Sequence, residues 1–416
     1  MKQMKLAQIL FWFEFYLYMI VQTVHTTGFT VYLPTFVLTI VRYTVLACTL
    51  AILLFQRSFP KRVFLLILCI GAGIINYCVT GFAIPLELFC LVLGAIKIDF
   101  RTILKHYFYI VLFIMIVAFL ASSVGIIETN DVIQNGVVRR AFGATYATDF
   151  AAHVFYLVLV DNFLNFRRTS IWRCLVYLAM ALFIWVNCSA RLDTFLIIIL
   201  VALDVYLMVN TKIKGIDITE YRASGVLRFL LTGIFCIAIA LSFYLILHYN
   251  DNAFMRALNV VSSFRLSLAN RGIEMYGYPL FGHLFSMVGS ATLSKSVDAG
   301  LEYFFIDNSY VYIMLRYGVV ILVFLALSLT LLIHKRIRAK DSILPIFLAL
   351  IAISSIVDHH LLSVYNPFLF AIGAVVHKTA FAEDVKFITF NHGKLVVRRH
   401  RKQPSSNGRP KRRNRA

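Results

Sequence analysis

The chain has 416 residues, of which 60% are hydrophobic and only 14% charged, with a formal net charge of +20 and a mean hydropathy of +0.81. A soluble domain carries roughly 25% charged residues, so this composition excludes one. Backbone polar groups find no water in hydrocarbon, and long unbroken apolar runs can meet that condition only as helices; the fold class is therefore an all-α polytopic membrane protein.

In chain order, the apolar runs predict about twelve transmembrane helices: 6–24, 31–55, 62–80, 82–97, 105–126, 148–164, 171–187, 192–209, 226–248, 307–333, 343–358 and 361–377. The first contains Glu14 and no small-residue cleavage site, so it reads as a retained helix rather than a signal peptide. Arg42, in the middle of the second, needs a partner at that depth. Glu87 or Asp204 would serve, unless Arg42 snorkels to the interface or has a functional role.

Basic residues in short loops stay cytoplasmic. Lys2/Lys5, Arg57/Lys61/Arg62, Lys97/Arg101/Lys105, Arg167/Arg168/Arg173, Lys212/Lys214/Arg222 and Lys335/Arg336/Arg338/Lys340 all fall on one side of the predicted layout, with the C-terminal tail. Both termini are thus expected in the cytoplasm, and the loops 127–147, 188–191 and 249–306 on the outer face.

Two domains are expected, a transmembrane domain 1–384 and a basic, disordered tail 385–416. The tail crowds Arg398, Arg399, Arg401, Lys402, Arg409, Lys411, Arg412, Arg413 and Arg415 around Pro404-Ser405-Ser406-Asn407-Gly408. Beside a membrane helix such a run reads as an anionic-lipid contact or topology anchor, not a nucleic-acid site. The seven cysteines form no CxxC and no Cys/His cluster at zinc spacing, and read as small buried apolar residues. No Asp-x-Asp stands at a membrane edge either. No metal and no cofactor are therefore expected.

The polar chemistry concentrates in the outer loops. Arg191, in Ser189-Ala190-Arg191-Leu192-Asp193, opens the eighth helix, where its guanidinium and the helix amides could face an anion, or where it could pair with Asp193. The loop before the tenth helix carries Arg265, Arg271 and His283, then Asp307-Asn308, with Arg316 inside the helix. Residues 263–275 read as a short amphipathic helix ended by Tyr278-Pro279. Arginine on the outer side runs against the charge rule, and its planar fork suits phosphate. Asp307 or Asn308 would also make a good helix N-cap. Arg316 would contact the anion or bridge to Asp307. Tyr276, Tyr278, Tyr303 and Tyr310 would stack on sugars or form an interfacial belt. Glu128, Asp131, Arg139 and Arg140 in loop 127–147 are further sugar contacts or an ordinary solvated loop.

Three of these segments resemble the bacterial polysaccharide polymerases of the Wzy type, which share a superfamily with the O-antigen ligases. Ser189-Ala190-Arg191 resembles that superfamily's Ser-Arg motif at a mid-chain helix start. Ser263-Phe264-Arg265-Leu266, followed by Pro279-Leu280-Phe281-Gly282-His283, resembles its Ser-Gly-Arg … Pro-Leu-Phe-Gly-x-Gly segment, with His283 in place of a glycine. Asp307-Asn308 and then Gly318 is similar in spacing to the ligase signature His-(Asn/Ser/Gln)-x9-Gly, with Asp307 in place of the histidine. The likeness covers about 180–325.

The resemblance implies a GT-C-like architecture in the bacterial plasma membrane and a metal-independent glycosyltransferase. It would move a growing glycan from one undecaprenyl-pyrophosphate-linked oligosaccharide to the non-reducing-end hydroxyl of another on the outer leaflet, alongside a flippase and a chain-length regulator. Arg191, Arg265, Arg271, Arg316 and Asn308 would then bind the pyrophosphate or substrate. Asp307 would be the base, with His283 its rival. A lipid-linked oligosaccharide flippase, or a ligase with a different acceptor, are the alternatives. No internal repeat of the kind common in transporters is visible.

Overall fold

The computed structural model describes residues 2–55, 63–134, 136–166, 169–214, 225–289, 302–339, 341–373, 386–391 and 394–399. Arg57, Lys61, Arg62, Arg167, Arg168, Arg222, Lys340, residues 290–301 of the long loop and the tail from His400 lie outside them. Among the described residues, nine helices are long and apolar enough to cross a membrane, so the protein is a multi-pass, mostly helical membrane protein.

The order is α1 (Lys2–His25), α2 (Thr35–Phe55), α3 (Val63–Thr80), α4 (Ile84–Gly94), α5 (Phe100–Ser123), a hairpin of β1 (Val132–Gln134) and β2 (Val137–Arg139), then α6 (Ala147–Asn165), α7 (Ile171–Cys188), α8 (Arg191–Lys214) and α9 (Gly225–Leu247). There follow α10 (Ala253–Val261), α11 (Arg265–Tyr276), α12 (Ser309–Tyr317), α13 (Val319–Arg338) and α14 (Ile343–Ser354). Helix α6 is the most enclosed of the spans, packed by α5, α7 and α8, whereas α2, α7 and α9 keep broad apolar faces outward. Those outward faces suit lipid, which leaves nothing to be gained by burying them.

Four of the twelve expected helices are corrected. The stretch 82–97 holds only the 11 residues of α4 and a 3-10 turn, and α14 has only 12 residues. A crossing needs about 20, so neither spans alone. The stretch 361–377 is not a helix where it is described: turns lead into a 3-10 segment, Pro367–Ile372, because Asn366 caps Phe368 and ties back to Leu361 O at 2.9 Å.

The stretch 307–333 is likewise two helices, broken at Gly318. There φ is +105°, and a Cβ would lie 2.3 Å from Leu280 O. The break exists because Pro279–Gly282 runs alongside it. Val319 N donates to Pro279 O at 2.9 Å, Val320 N to Leu280 O at 3.2 Å and His283 N to Leu315 O at 2.8 Å. Gly282, with φ +90°, similarly abuts Arg316 O, where a Cβ would come within 2.3 Å. Both glycines permit close backbone approach.

Intramembrane charges are paired or hydrogen-bonded as burial demands. Arg42 bonds Glu87 at 3.3 Å and Tyr77 at 2.9 Å, the packing role expected of it. Asp204 instead takes a bond from Asn162, and Glu14 one from Thr49 at 3.5 Å. Five cysteines are buried as expected; Cys78 and Cys236 are exposed, and all seven are free.

Residues 382–416 form a separate unit. Within it Lys386–Asn391 pairs antiparallel with Lys394–Arg399, with Ile388 opposite Val397, Thr389 opposite Val396 and Phe390 opposite Leu395, mostly β-branched and aromatic residues that suit strands.

Candidate functional site

At one end of the bundle, a cavity of about 110 Å³ is lined by Arg139, Tyr146, Ser263, Arg265, Tyr303 and Asp307, among others. Its central contact joins two of the predicted residues. Arg265 Nε lies 2.9 Å from Asp307 Oδ2.

The local fold explains the aim of each side chain. Ser263 and Phe264 both adopt positive φ, 57° and 64°, so the chain turns sharply between α10 and α11 and delivers Arg265 as the first residue of α11. Non-glycine residues are rarely held so. Arg265 Nη1 also donates to Val357 O at 2.6 Å. Asp307 immediately precedes Asn308, whose Oδ1 caps α12 by accepting from Tyr310 N and Val311 N, both at 3.0 Å.

Burial alone would raise the Asp307 pKa, but Arg265 and then His359 outweigh it, and the carboxyl is held below its ordinary value. Burial likewise opposes charge on Arg265, yet Asp307 and Asp358 raise its pKa further. Arg139 Nε donates to Cys188 O at 3.0 Å, and burial, aided by Arg265, lowers its pKa. Tyr303 is pushed up to about 12 by burial and then by Asp307. The cavity wall thus carries two guanidinium groups and one carboxylate, with the Tyr303 phenol held protonated beside them.

Below this wall lies a group that the sequence reading passed over. Asp358-His359-His360 sits in the turn after α14. It is drawn in by Ser309, whose N–H donates to Ser355 O at 2.9 Å and Asp358 O at 3.0 Å, and by Asn308 Nδ2, which donates to Ile356 O at 2.7 Å. His359 Nδ1 lies 3.7 Å from Asp307 Oδ1 and 3.7 Å from Asp358 Oδ1. His360 Nε2 lies 3.2 Å from Asp358 Oδ1 and 3.5 Å from Asp149 Oδ1, at the start of α6. Burial favours neutral His359, but the nearby carboxylates of Asp307 and Asp358 overcome this and raise its pKa. His360 is pushed well down by burial and by His359. Asp358 is raised to about 6 by burial, against the pull of His359.

Asp149, His359 and His360 can each present one ligand atom, all within 4.8 Å of one another. The expectation of no metal rested on spacing along the sequence, and Asp149 comes from the opposite half of the chain.

The remaining predicted residues stand elsewhere. Asn308 spends both functional ends of its side chain on structure, since Nδ2 also donates to Ser242 Oγ at 3.0 Å; its assignment to substrate binding is corrected to a cap and tie. Arg271 leaves the cavity and pairs with Glu302 at 2.7 Å, both side chains being largely exposed. His283 is exposed, with its ring 4.9 Å from that of Tyr276 and Nδ1 near Leu284 O, and does not line the cavity. Arg316 neither bridges to Asp307 nor lines the cavity. Its guanidinium stacks 3.6 Å from the Phe82 ring centre, flanked by Tyr312 and Phe285. Arg191 is exposed at the start of α8, forms no ion pair with the buried Asp193, and is also absent from the cavity wall. Arg139, weighed as a sugar contact or as part of an ordinary solvated loop, joins the wall.

No protein-family model, no curated protein and no solved structure matches this chain.

Proposed function

We propose that the protein is a polysaccharide polymerase of the Wzy type. It joins undecaprenyl-pyrophosphate-linked oligosaccharides on the outer leaflet of a bacterial plasma membrane, in a GT-C-like bundle whose termini are both cytoplasmic. The observation that carries this reading is the Arg265–Asp307 contact at 2.9 Å within a cavity that Arg139 also lines. Arg139 and Arg265 come from loops that the charge rule assigns to the outer face, and Asp307 opens the predicted helix that follows the second of them.

The acceptor sugar oxygen attacks the anomeric carbon of the donor glycan. As that bond forms, the anomeric carbon–phosphate oxygen bond breaks, undecaprenyl pyrophosphate leaves and the hydroxyl proton is released. Negative charge grows on the leaving group, and preorganised guanidinium groups stabilise such charge best where water is excluded. Arg265 has five N–H donors. Asp307 and Val357 occupy Nε and Nη1, which leaves Nη2 for a phosphate oxygen, with Arg139 as the second cation. The leaving group therefore needs no metal ion. Asp307, kept anionic by Arg265 and His359, accepts a hydrogen bond from the acceptor hydroxyl and orients it, as proximity catalysis requires. Tyr146 and Tyr303 offer rings to the sugars. A flippase and a chain-length regulator would be its working partners.

The succession Asp307, His359, Asp358, His360, Asp149 favours a second reading. Chains of acids and histidines inside membrane proteins carry protons in transporters, and a lipid-linked oligosaccharide flippase would use one. Purified protein in liposomes, supplied with a lipid-linked repeat unit on the outer leaflet, decides between them. A ladder of longer glycans supports the polymerase. Substrate movement between leaflets with no ladder supports the flippase.

A further inference from the structure

We propose that Asp149, His359 and His360, with Asp358 beside them, bind a divalent transition-metal ion of the zinc class. The inference goes beyond the proposed reaction, because it concerns the histidine-aspartate cluster that meets Asp307 through His359 and not the leaving group.

Two imidazoles, each without a proton on its ligating nitrogen once the ion is bound, and carboxylate oxygens are a common donor set for such an ion. Three of the separations come close to one, and Asp149, His359 and His360 lie within 4.8 Å of one another. A tetrahedral site with bonds of about 2.1 Å has ligand-to-ligand edges of about 3.4 Å. Here His360 Nε2 stands 3.2 Å from Asp358 and 3.5 Å from Asp149, and His359 Nδ1 stands 3.7 Å from Asp358.

A second observation is independent of this spacing. His360 is only 2% exposed, and yet its Nε2 has no hydrogen-bond partner; His359 Nδ1 has none either. Buried nitrogens so close to carboxylate oxygens ordinarily turn to bond them, since an unmade bond at such a site is costly. These instead converge without pointing at one another, which is how ligands stand around a common centre.

Charge gives the same answer. Asp149 and Asp358 together bring two negative charges that a divalent ion would cancel, and buried charges persist where they are paired or coordinate a metal. Orientation is also provided for. The His360 ring stacks on Tyr365 with centres 4.0 Å apart, and Tyr365 stacks on His153 at 4.2 Å, a packed support of the sort that fixes ligand rings. The ion would tie the 355–360 turn to α6 and, through His359, hold Asp307 in place.

The test is elemental analysis by plasma mass spectrometry of full-length protein purified through a tag without histidines and in buffer without chelator. The expected result is about one divalent transition-metal ion per chain, falling at least about tenfold in His360→Ala and in Asp149→Asn. Because either variant may unfold, wild-type protein stripped with EDTA is also titrated with zinc chloride. Binding to the folded state must then raise its melting temperature in a saturable way. Wild-type protein that holds no metal and is not stabilised by zinc overturns the inference, as does metal content unchanged in folded variants. Protein that elongates glycans but neither carries nor binds zinc would overturn the metal site and leave the polymerase standing; zinc binding without elongation would do the reverse.

Discussion

Replacing Gly318 by alanine should damage the protein far more than an ordinary helix substitution. Its φ of +105° and ψ of 155° lie in a region open essentially to glycine alone, costing about 1–3 kcal/mol for any other residue. The new Cβ would stand 2.3 Å from Leu280 O, 2.6 Å from Phe281 Cα and 2.7 Å from Gly282 N, whereas carbon atoms rest at roughly 3.5–4.0 Å. All three are backbone atoms, so Pro279–Gly282 must withdraw by about 1 Å. That withdrawal strains the three backbone bonds joining it to Leu315, Val319 and Val320, each worth about 1 kcal/mol net. The sum is about 3–5 kcal/mol, which for a chain of this size lowers the melting temperature by on the order of 5 °C. Gly71→Ala is the control: it lies in α3 with nothing within 4 Å of its Cβ, and alanine favours a helix by up to about 1 kcal/mol. Thermal unfolding in detergent, followed by fluorescence-detected size exclusion, reads both. Equal melting temperatures for the two variants would refute the backbone-contact argument.

Glu87→Gln leaves Arg42 uncompensated within the bundle and should destabilise by about 3–5 kcal/mol in the same assay, with Arg42→Met added to it recovering part of the loss. Asp307→Asn should abolish glycan elongation and make Arg265 harder to hold; if turnover stays near wild type, Asp307 only helps to fold the loop. Arg271→Ala should change stability by less than about 1 kcal/mol, because both partners of its ion pair are exposed, and should leave elongation intact in the liposome assay. His283→Ala should likewise elongate normally, and loss of the glycan ladder in that variant would return His283 to the site.

The parts of the fold set by local physics were legible in the sequence. Apolar runs of sufficient length became spans, and Arg42 found the expected Glu87, since no ion at that depth can go unpaired. Arg265 and Asp307 were both singled out, but for separate roles, and Arg316 was weighed as the partner of Asp307; their pairing came only with the structure. What escaped depended on contacts between distant segments. Residues 361–377 are apolar enough for a helix, but Asn366 and Ser363 bond their own backbone and turn it aside. Reading helices over 343–358 and 361–377 reduced Asp358-His359-His360 to a joint. Two adjacent histidines and an aspartate inside an apolar stretch were the available signal. The histidine that the ligase pattern sets at position 307 is absent there, and His359 brings an imidazole to Asp307 from another segment. The cap at Asn308 was among the readings of the sequence, but the contacts of Arg316 with Phe82 and of Asn308 with Ser242 were not, because those partners lie far away in sequence.

The most direct test of the proposed reaction is elongation by purified protein in liposomes, with a lipid-linked repeat unit as the sole substrate. Wild-type protein is expected to produce a ladder of glycans, and folded Arg265→Ala to produce none. A ladder undiminished in Arg265→Ala, or transfer of substrate between leaflets by wild-type protein without any lengthening, would contradict it.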